Sequence, residues 1–437
     1  MAQTRLAFML RALKHRNYRL FFGGQLVSLI GTWMTTTATS WLVYRLTGSP
    51  LMLGLVGFAG QFPAFLISPV AGTFVDRWDR RQLLIGTQFI SMLQSFALAA
   101  LTLSGRITIA WIVALLVVQG LVNAFDMPGR QAFVVQLVDK PDLPNAIALN
   151  SSMFNGARLV GPSIAGGIIA GFGEGWIFLV DGFSYFAVML ALIAMRTERS
   201  APPATAVTSV WRQVREGLSY IRQSTPLRSI MTLLALVSLV GFPYTVLMPV
   251  FATEVLGGGP STLGMLMASI GCGALTGALW LAARRSILGL GRIIPMAAGL
   301  FGATLIAFSF SRILWISMIL LVFSGIGFIV QMASSNTVIQ TIVEDSKRGR
   351  VMSFYVMAFL GTAPLGSLLA GTLAERIGAP RTLEVSGVCC LAAALWFARE
   401  LPKIRAAVRP IYVRLGILPE VTSGLHTASN LMTPPED

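Results

Sequence analysis

Apolar stretches of about 20 residues recur along almost the whole chain, separated by short charged loops. A stretch of that length crosses the hydrocarbon core of a bilayer as a helix. Inside hydrocarbon the backbone must satisfy its own hydrogen bonds, which a helix does within one segment. Of the 437 residues, 55% are hydrophobic and 12% are charged. A soluble protein would carry about 25% charged residues. The predicted fold class is therefore an all-α integral membrane protein with twelve transmembrane helices. The spans fall near 18–46, 50–75, 83–104, 108–126, 146–171 and up to 195, then near 229–254, 261–283, 292–310, 313–342, 350–376 and 382–399. This divides the chain into a basic arm (1–17), a first six-helix bundle (18–196), a linker (197–228), a second bundle (229–400) and a polar tail (401–437). The prolines of 126–150 predict a longer connection there with a short surface helix.

The net charge of +15 invites a nucleic-acid reading, but its distribution opposes it. About 27 of the 33 Lys and Arg fall in every second loop. Arg45, Arg106, Arg312, Arg376 and Arg381 lie on the other side, and Arg158 lies within a span. Such asymmetry places the basic loops inside and both termini in the cytoplasm of a multi-pass cell-membrane protein. In the linker, SVWRQVREGLSYIRQ predicts an amphipathic helix on the membrane surface, with Arg212, Arg215 and Arg222 towards anionic headgroups. Cys272, Cys389 and Cys390 sit in apolar helices, and the two histidines, His15 and His426, sit in the tails. No disulfide framework, metal site or cofactor is expected from them. HExxH, GxSxG and Walker patterns are absent from the sequence, which argues against an enzyme and against a chain-encoded ATP pump.

A shift of 205 residues superposes glycines: Gly54 on Gly259, Gly72 on Gly277, Gly86 on Gly291, Gly120 on Gly325, Gly156 on Gly361, Gly161 on Gly366, Gly166 on Gly371, Gly173 on Gly378 and Gly182 on Gly387. Nine of the 20 glycines in 1–196 coincide, where chance at this glycine content gives about two. The offset predicts two pseudo-symmetric six-helix halves. The charges are not duplicated. Asp76, Asp126, Arg130, Arg158 and Asp181 meet Leu281, Gln331, Ser335, Ala363 and Ser386. Gating and ion coupling are thus expected to depend more on the first half.

Between the second and third spans runs GTFVDRWDRRQ, with Gly72, Asp76, Arg77, Arg80 and Arg81 in the pattern G-x(3)-D-R-x(2)-R-R. This resembles the signature loop of the major facilitator superfamily. The segments RNYRLFFGGQLVSLIGTWM, WLVYRLTGSPLMLGLVGF, AFDMPGRQAFVVQLV and NAIALNSSMFNGARLVGPSIAGG extend the likeness to the branch that holds the enterobactin exporter and some drug efflux proteins. The resemblance implies a gating loop at Gly72–Arg81 and cytoplasmic gate partners at Asp126, Arg130, Gly349 and Arg350. It also implies an antiporter-like fifth helix carrying Arg158, Gly161, Pro162, Gly166 and Gly167. Ala157 stands where the antiporter pattern has a glycine, and Leu116 where many proton-coupled relatives have an arginine.

Arg158 and Asp181 are charges inside spans, which are expensive unless they face protein or water. Arg158 is a candidate for an anionic substrate or for pairing with an acid, and Asp181 is the candidate proton site. The alternative is a structural role for each. By family analogy the substrate cavity draws on Gln25, Trp33, Trp41, Tyr244, Met248, Gln331 and Asn336, an aromatic and apolar set with few polar groups. The expected activity is secondary export of an amphipathic small organic molecule, of the drug or siderophore class, coupled to protons. The protein is expected to work as a monomer, with the lipid bilayer and the small molecule as its partners. A receptor or sensor on the same scaffold, and an importer or lipid transporter, remain open from the residues alone.

Overall fold

The computed structural model describes residues 10–75, 77–196, 210–284 and 286–418. Among the described residues every regular element is helical. The first half contains α1 (Arg16–Thr47), α2 (Pro50–Val75), α3 (Arg80–Leu103), α4 (Ile109–Leu137), α5 (Leu143–Phe172) and α6 (Glu174–Ala194). The linker helix is Val210–Gln223. The second half contains α7 (Thr225–Val255), α8 (Pro260–Ala282), α9 (Leu290–Phe310), α10 (Leu314–Ile342), α11 (Asp345–Leu360 and Thr362–Ile377) and α12 (Ala379–Arg414).

Ten of the twelve are long and apolar enough on their own to cross a membrane; α1 and α5 fall short on composition. Their polar groups explain the shortfall. In α1 these include Thr32, Thr35, Thr36, Thr37 and Thr39, and in α5 they include Asn150, Asn155 and Arg158. The two helices pack on each other, so the polarity is shared with protein: the Tyr18 hydroxyl donates to the Ala146 carbonyl at 2.9 Å and to Asn150 Oδ1 at 3.1 Å.

The halves repeat one packing plan. In the first, α1 packs on α5 and α6, α4 on α2 and α3, and α3 on α6; in the second, α7 packs on α11 and α12, α10 on α8 and α9, and α9 on α12. Some of the repeated glycines lie at close crossings of these helices. A Cβ on Gly120 would meet the Gly60 carbonyl of α2 at 2.6 Å, and one on Gly325 the Ile270 carbonyl of α8 at 2.4 Å. Likewise Gly161 lies on α1 beside Trp33, while Gly366 lies on α7 beside Leu239 and Pro243. Between the halves, Gly166 of α5 meets Gly264 of α8, and Gly371 of α11 meets Gly54 of α2. Backbones approach that closely only where no side chain intervenes.

Several boundaries differ from those read off the sequence. The fourth helix continues through Pro128 to Leu137, and only a short 3-10 turn, Lys140–Asp142, precedes α5. Pro128 removes one donor, but the turn around it is tied down from the side. Asp126 pairs with Arg130 one turn on and accepts from Thr87 Oγ1 at 2.9 Å and Gln88 Nε2 at 2.8 Å. The seventh span is not one α-helix. Val237–Gly241 and Phe251–Val255 wind as π turns, and Phe242–Leu247 as 3-10. Pro243 and Pro249 lack donors, so the ladder shifts register around them. At the other end of the chain, α12 runs on to Arg414 although the sequence reads as polar tail from 401, because Ile404 and Val408 form a buried stripe one turn apart. The linker helix gives part of its surface to α11, with Gly217 against the Phe354 ring and the Lys347 ammonium 4.5 Å from the centre of the Tyr220 ring. Arg215 and Arg222 stay exposed.

Candidate functional site

Gly72 is part of α2, while Asp76 lies outside the described residues. The loop's arginines serve different helices. Arg77 is exposed. Arg80 donates to the Ala132 carbonyl of α4 at 3.4 Å. Arg81 donates to the Leu192 and Ile193 carbonyls at 2.7 and 2.8 Å, placing a cation on the C-terminal end of α6, where the helix dipole is negative. Asp79, which the sequence reading passed over, caps α3 by accepting from the Arg81 and Gln82 amides at 2.9 and 3.2 Å. An Asp just before an apolar helical run is the available signal for that role.

Asp126 and Arg130 are brought together with Gln25, whose Oε1 accepts from Arg130 at 3.0 Å. Gly349 and Arg350 stand in the first turns of α11, and Arg350 helps to line a cavity of about 330 Å³ with Tyr220, Gln223 and Lys347. Asp142 holds the arm through Lys14 at 2.7 Å, His15 at 2.8 Å and Arg11 at 3.3 Å. The hydrogen bonds from Lys14 and then His15 hold its carboxyl below the usual carboxylate range. Its side chain is only 7% exposed, yet it is covered by the arm rather than sunk in the core.

Deeper in the first half, Asp181 of α6 is 1% exposed. Thr35 Oγ1 of α1 donates to it at 2.9 Å, Ser95 Oγ of α3 at 3.0 Å, and Ser184 Oγ more weakly at 3.4 Å. Among the described residues no cation pairs with it. Gly31 of α1 makes the room: a Cβ there would stand 2.5 Å from Asp181 Oδ1. Along α3, Thr87, Gln88, Ser91, Gln94 and Ser95 continue the same buried polar face towards Asp126.

At the junction of the halves, Arg158 lies with its guanidinium 5.6 Å from the centre of the Trp33 ring, and Trp33 meets Phe154 edge-on at 5.6 Å. Tyr244 of α7 lies within electrostatic range of Arg158, and Ser324 of α10 stands beside the Tyr244 hydroxyl. Trp33 meets Arg158 directly, and the other cavity candidates have neighbours of their own. Gln25 is engaged by Arg130, and Met248 is fully buried in the core of the second half. Trp41 is partly buried against the same core. Gln331 reaches Ser335 at 3.4 Å, and Asn336 accepts from Gln340. In the antiporter-like helix, Gly161 packs on α1 and Gly166 on α8, whereas Gly167 faces open space. Pro162 is buried, and its carbonyl lies against Gly264.

Where α2 begins and α11 ends, the halves touch directly. Glu375 of α11 accepts from Ser49 Oγ at 2.9 Å and from the Leu51 amide at 3.2 Å, at the start of α2. Tyr44 donates to Glu254, and Ser261 Oγ to the Gly166 carbonyl at 3.5 Å. Arg45 and Glu174 pair at 2.8 Å within the first half. The sequence carries no sign of the Glu375 contact, whose partners Ser49 and Leu51 lie 326 and 324 residues away.

A family model described as transmembrane secretion effector matches residues 8–413. The staphyloferrin A transporter of Staphylococcus aureus is 28% identical over 392 residues, covering 89% of this chain and 97% of that protein. The multidrug efflux pump Tap of Mycolicibacterium fortuitum is 28% identical over 362 residues, covering 80% of this chain and 87% of its own length. Among solved structures, a bacterial homologue of the human lysosomal transporter Spinster, inward-facing and unoccupied, matches with a TM-score of 0.70 and 14% identity over 90% of this chain and 98% of that one. At that identity the likeness concerns the fold alone.

Proposed function

This chain belongs to the transmembrane secretion effector family of major facilitator transporters, and on that premise we propose that it exports an amphipathic small organic molecule, of the drug or siderophore class, by alternating access. The observation that carries this reading is the junction of the halves. Arg158 of α5 lies against Trp33 of α1, its carbonyl faces Gly271 of α8 in the other bundle, and the halves are joined at their outer ends. A chamber shared by two bodies changes sides when they rock. The bodies are 18–196 and 229–400, joined by the linker 197–228, and the transporter works as a monomer. Asp76 closes the cytoplasmic side in the opposite state, against the start of α11 near Gly349 and Arg350, with Asp126 and Arg130 beside it.

Export is driven by protons, and Asp181 carries them. A buried carboxylate held only by hydroxyls suits this role, because each hydroxyl donates to the anion and accepts from the acid. Reconstituted protein should move substrate against its gradient only while a pH gradient is imposed. Asp181→Asn should abolish that uphill flux and retain downhill exchange. Uphill flux that survives collapse of the pH gradient would sink proton coupling, and a protein that moves no substrate in either mode would sink the exporter reading.

A further inference from the structure

We infer that Arg158 anchors an anion-binding site, and that the cargo carries a carboxylate held there against Trp33. This rests on the exporter reading. An arginine within a membrane span is costly and ordinarily pairs with an acid. Among the described residues Arg158 pairs with none, and no acceptor is hydrogen-bonded to its five N–H donors. Its described partner is the Trp33 ring, at 5.6 Å. A cation–π contact offsets part of the charge and leaves the edge of the guanidinium free.

A second observation points to a ligand. The Tyr244 hydroxyl, on a side chain only 1% exposed, and the neighbouring Ser324 hydroxyl both lack a well-formed hydrogen bond. Tyr244 lies within electrostatic range of Arg158. One cation and two hydroxyls that neighbour each other without good hydrogen-bond geometry, contributed by α5, α7 and α10, form a donor set for an oxyanion. The planar guanidinium fork matches a carboxylate with two parallel hydrogen bonds. The indole of Trp33 and the ring of Phe154 supply an apolar wall beside it, so an aromatic or alkyl carboxylate fits better than a small hydrated ion. The place also reports the state of the transporter. A Cβ on Gly271 of α8 would touch the Arg158 carbonyl at 2.9 Å, so a shift between the halves moves Arg158 relative to Tyr244.

The test compares dansylglycine with dansylglycinamide, which share a fluorophore and differ in the carboxylate, on the full-length protein in lipid nanodiscs. The wild type should bind the acid about tenfold or more tightly than the amide, as a charge-assisted pair implies. Arg158→Gln should erase the difference by weakening the acid alone, and Arg158→Lys should keep part of it. Tyr244→Phe removes one hydroxyl, preserves the ring and should weaken the acid a few-fold, which keeps the test sound where Arg158→Gln fails to fold. Equal affinities in the wild type, binding of neither probe, or a preference that survives Arg158→Gln would overturn the site. Efflux of a neutral dye from vesicles separates the two readings. Efflux without carboxylate preference leaves an exporter with no anion site. Carboxylate preference without transport of either dansyl probe or the dye leaves an anion site on a protein that does not export.

Discussion

Gly31 leaves no room for a side chain in the interior of the first half. An added methyl would stand 2.5 Å from Asp181 Oδ1 and 2.8 Å from Ser184 Oγ. Both atoms belong to the hydrogen-bonded cluster that holds the buried carboxylate, so neither moves without losing a partner. Gly31→Ala should therefore destabilise the protein by about 1–3 kcal/mol, the usual cost of overpacking, seen as a lower midpoint in thermal unfolding in detergent. Gly23, where a Cβ meets nothing within 4 Å, is the control, and Gly23→Ala should be close to neutral. Equal effects at the two positions would show that the Asp181 cluster has slack. At this scale the sequence was legible where a residue contradicts its surroundings. Arg158 and Asp181 stand out as charges in apolar runs; Asp181 is buried, and Arg158 lies part-buried against Trp33. Partners were not legible. Thr35 and Ser95 lie 146 and 86 residues from Asp181, and nothing local distinguishes them from other hydroxyls in helices.

Elements were legible by hydropathy and least so at their ends, where side chains from other helices decide. Pro128 reads as a helix stop, yet Thr87 and Gln88 of α3 hold the Asp126 turn in place and α4 continues. Ile404 and Val408 extend α12 beyond the stretch that hydropathy marks, because they face protein. The same holds for the arm, whose position depends on Asp142 of the connection before α5. The carboxyl pKa of Asp142 is lowered in the folded protein, chiefly by Lys14. A group with a depressed folded pKa contributes its stability in full above its unfolded value of about 4 and loses it as pH falls through the folded value. The clamp should thus be constant from pH 5 to 8 and release only in stronger acid. A spin label at Leu13 should stay immobile across that range and gain mobility below it, while Asp142→Asn should free it at every pH. Release centred between pH 5 and 8 would show that the Asp142 carboxylate does not set the clamp.

For the whole molecule, the repeat announced two halves, but not how they close, because closure depends on contacts that the duplication does not copy. Glu375 has no counterpart in the first half at the 205-residue offset, where Ala170 stands, so its seat on the start of α2 belongs to one side only. Two kinds of contact join α2 to α11, and they differ in magnitude. An exposed carboxylate at a helix N-terminus is worth about 0.3–1 kcal/mol. Glu375→Gln should therefore shift the balance towards the outward-open state by only a few-fold. The Gly54–Gly371 crossing is less tolerant. A Cβ on Gly54 would meet the Ser367 carbonyl at 2.5 Å and the Gly371 Cα at 2.9 Å, and both are backbone atoms of α11 that cannot rotate away. Gly54→Val cannot fit the sealed state, while in an outward-open state the same side chain faces no opposing helix. The variant should fold and occupy the outward-open state almost entirely. Spin labels at Leu55 of α2 and Leu369 of α11, both exposed, would read the separation of these helices in reconstituted protein. The expected series is one short distance in the wild type, a minor longer component in Glu375→Gln and a dominant one in Gly54→Val. A folded Gly54→Val protein that keeps the short distance would show that α2 and α11 do not form the outer seal.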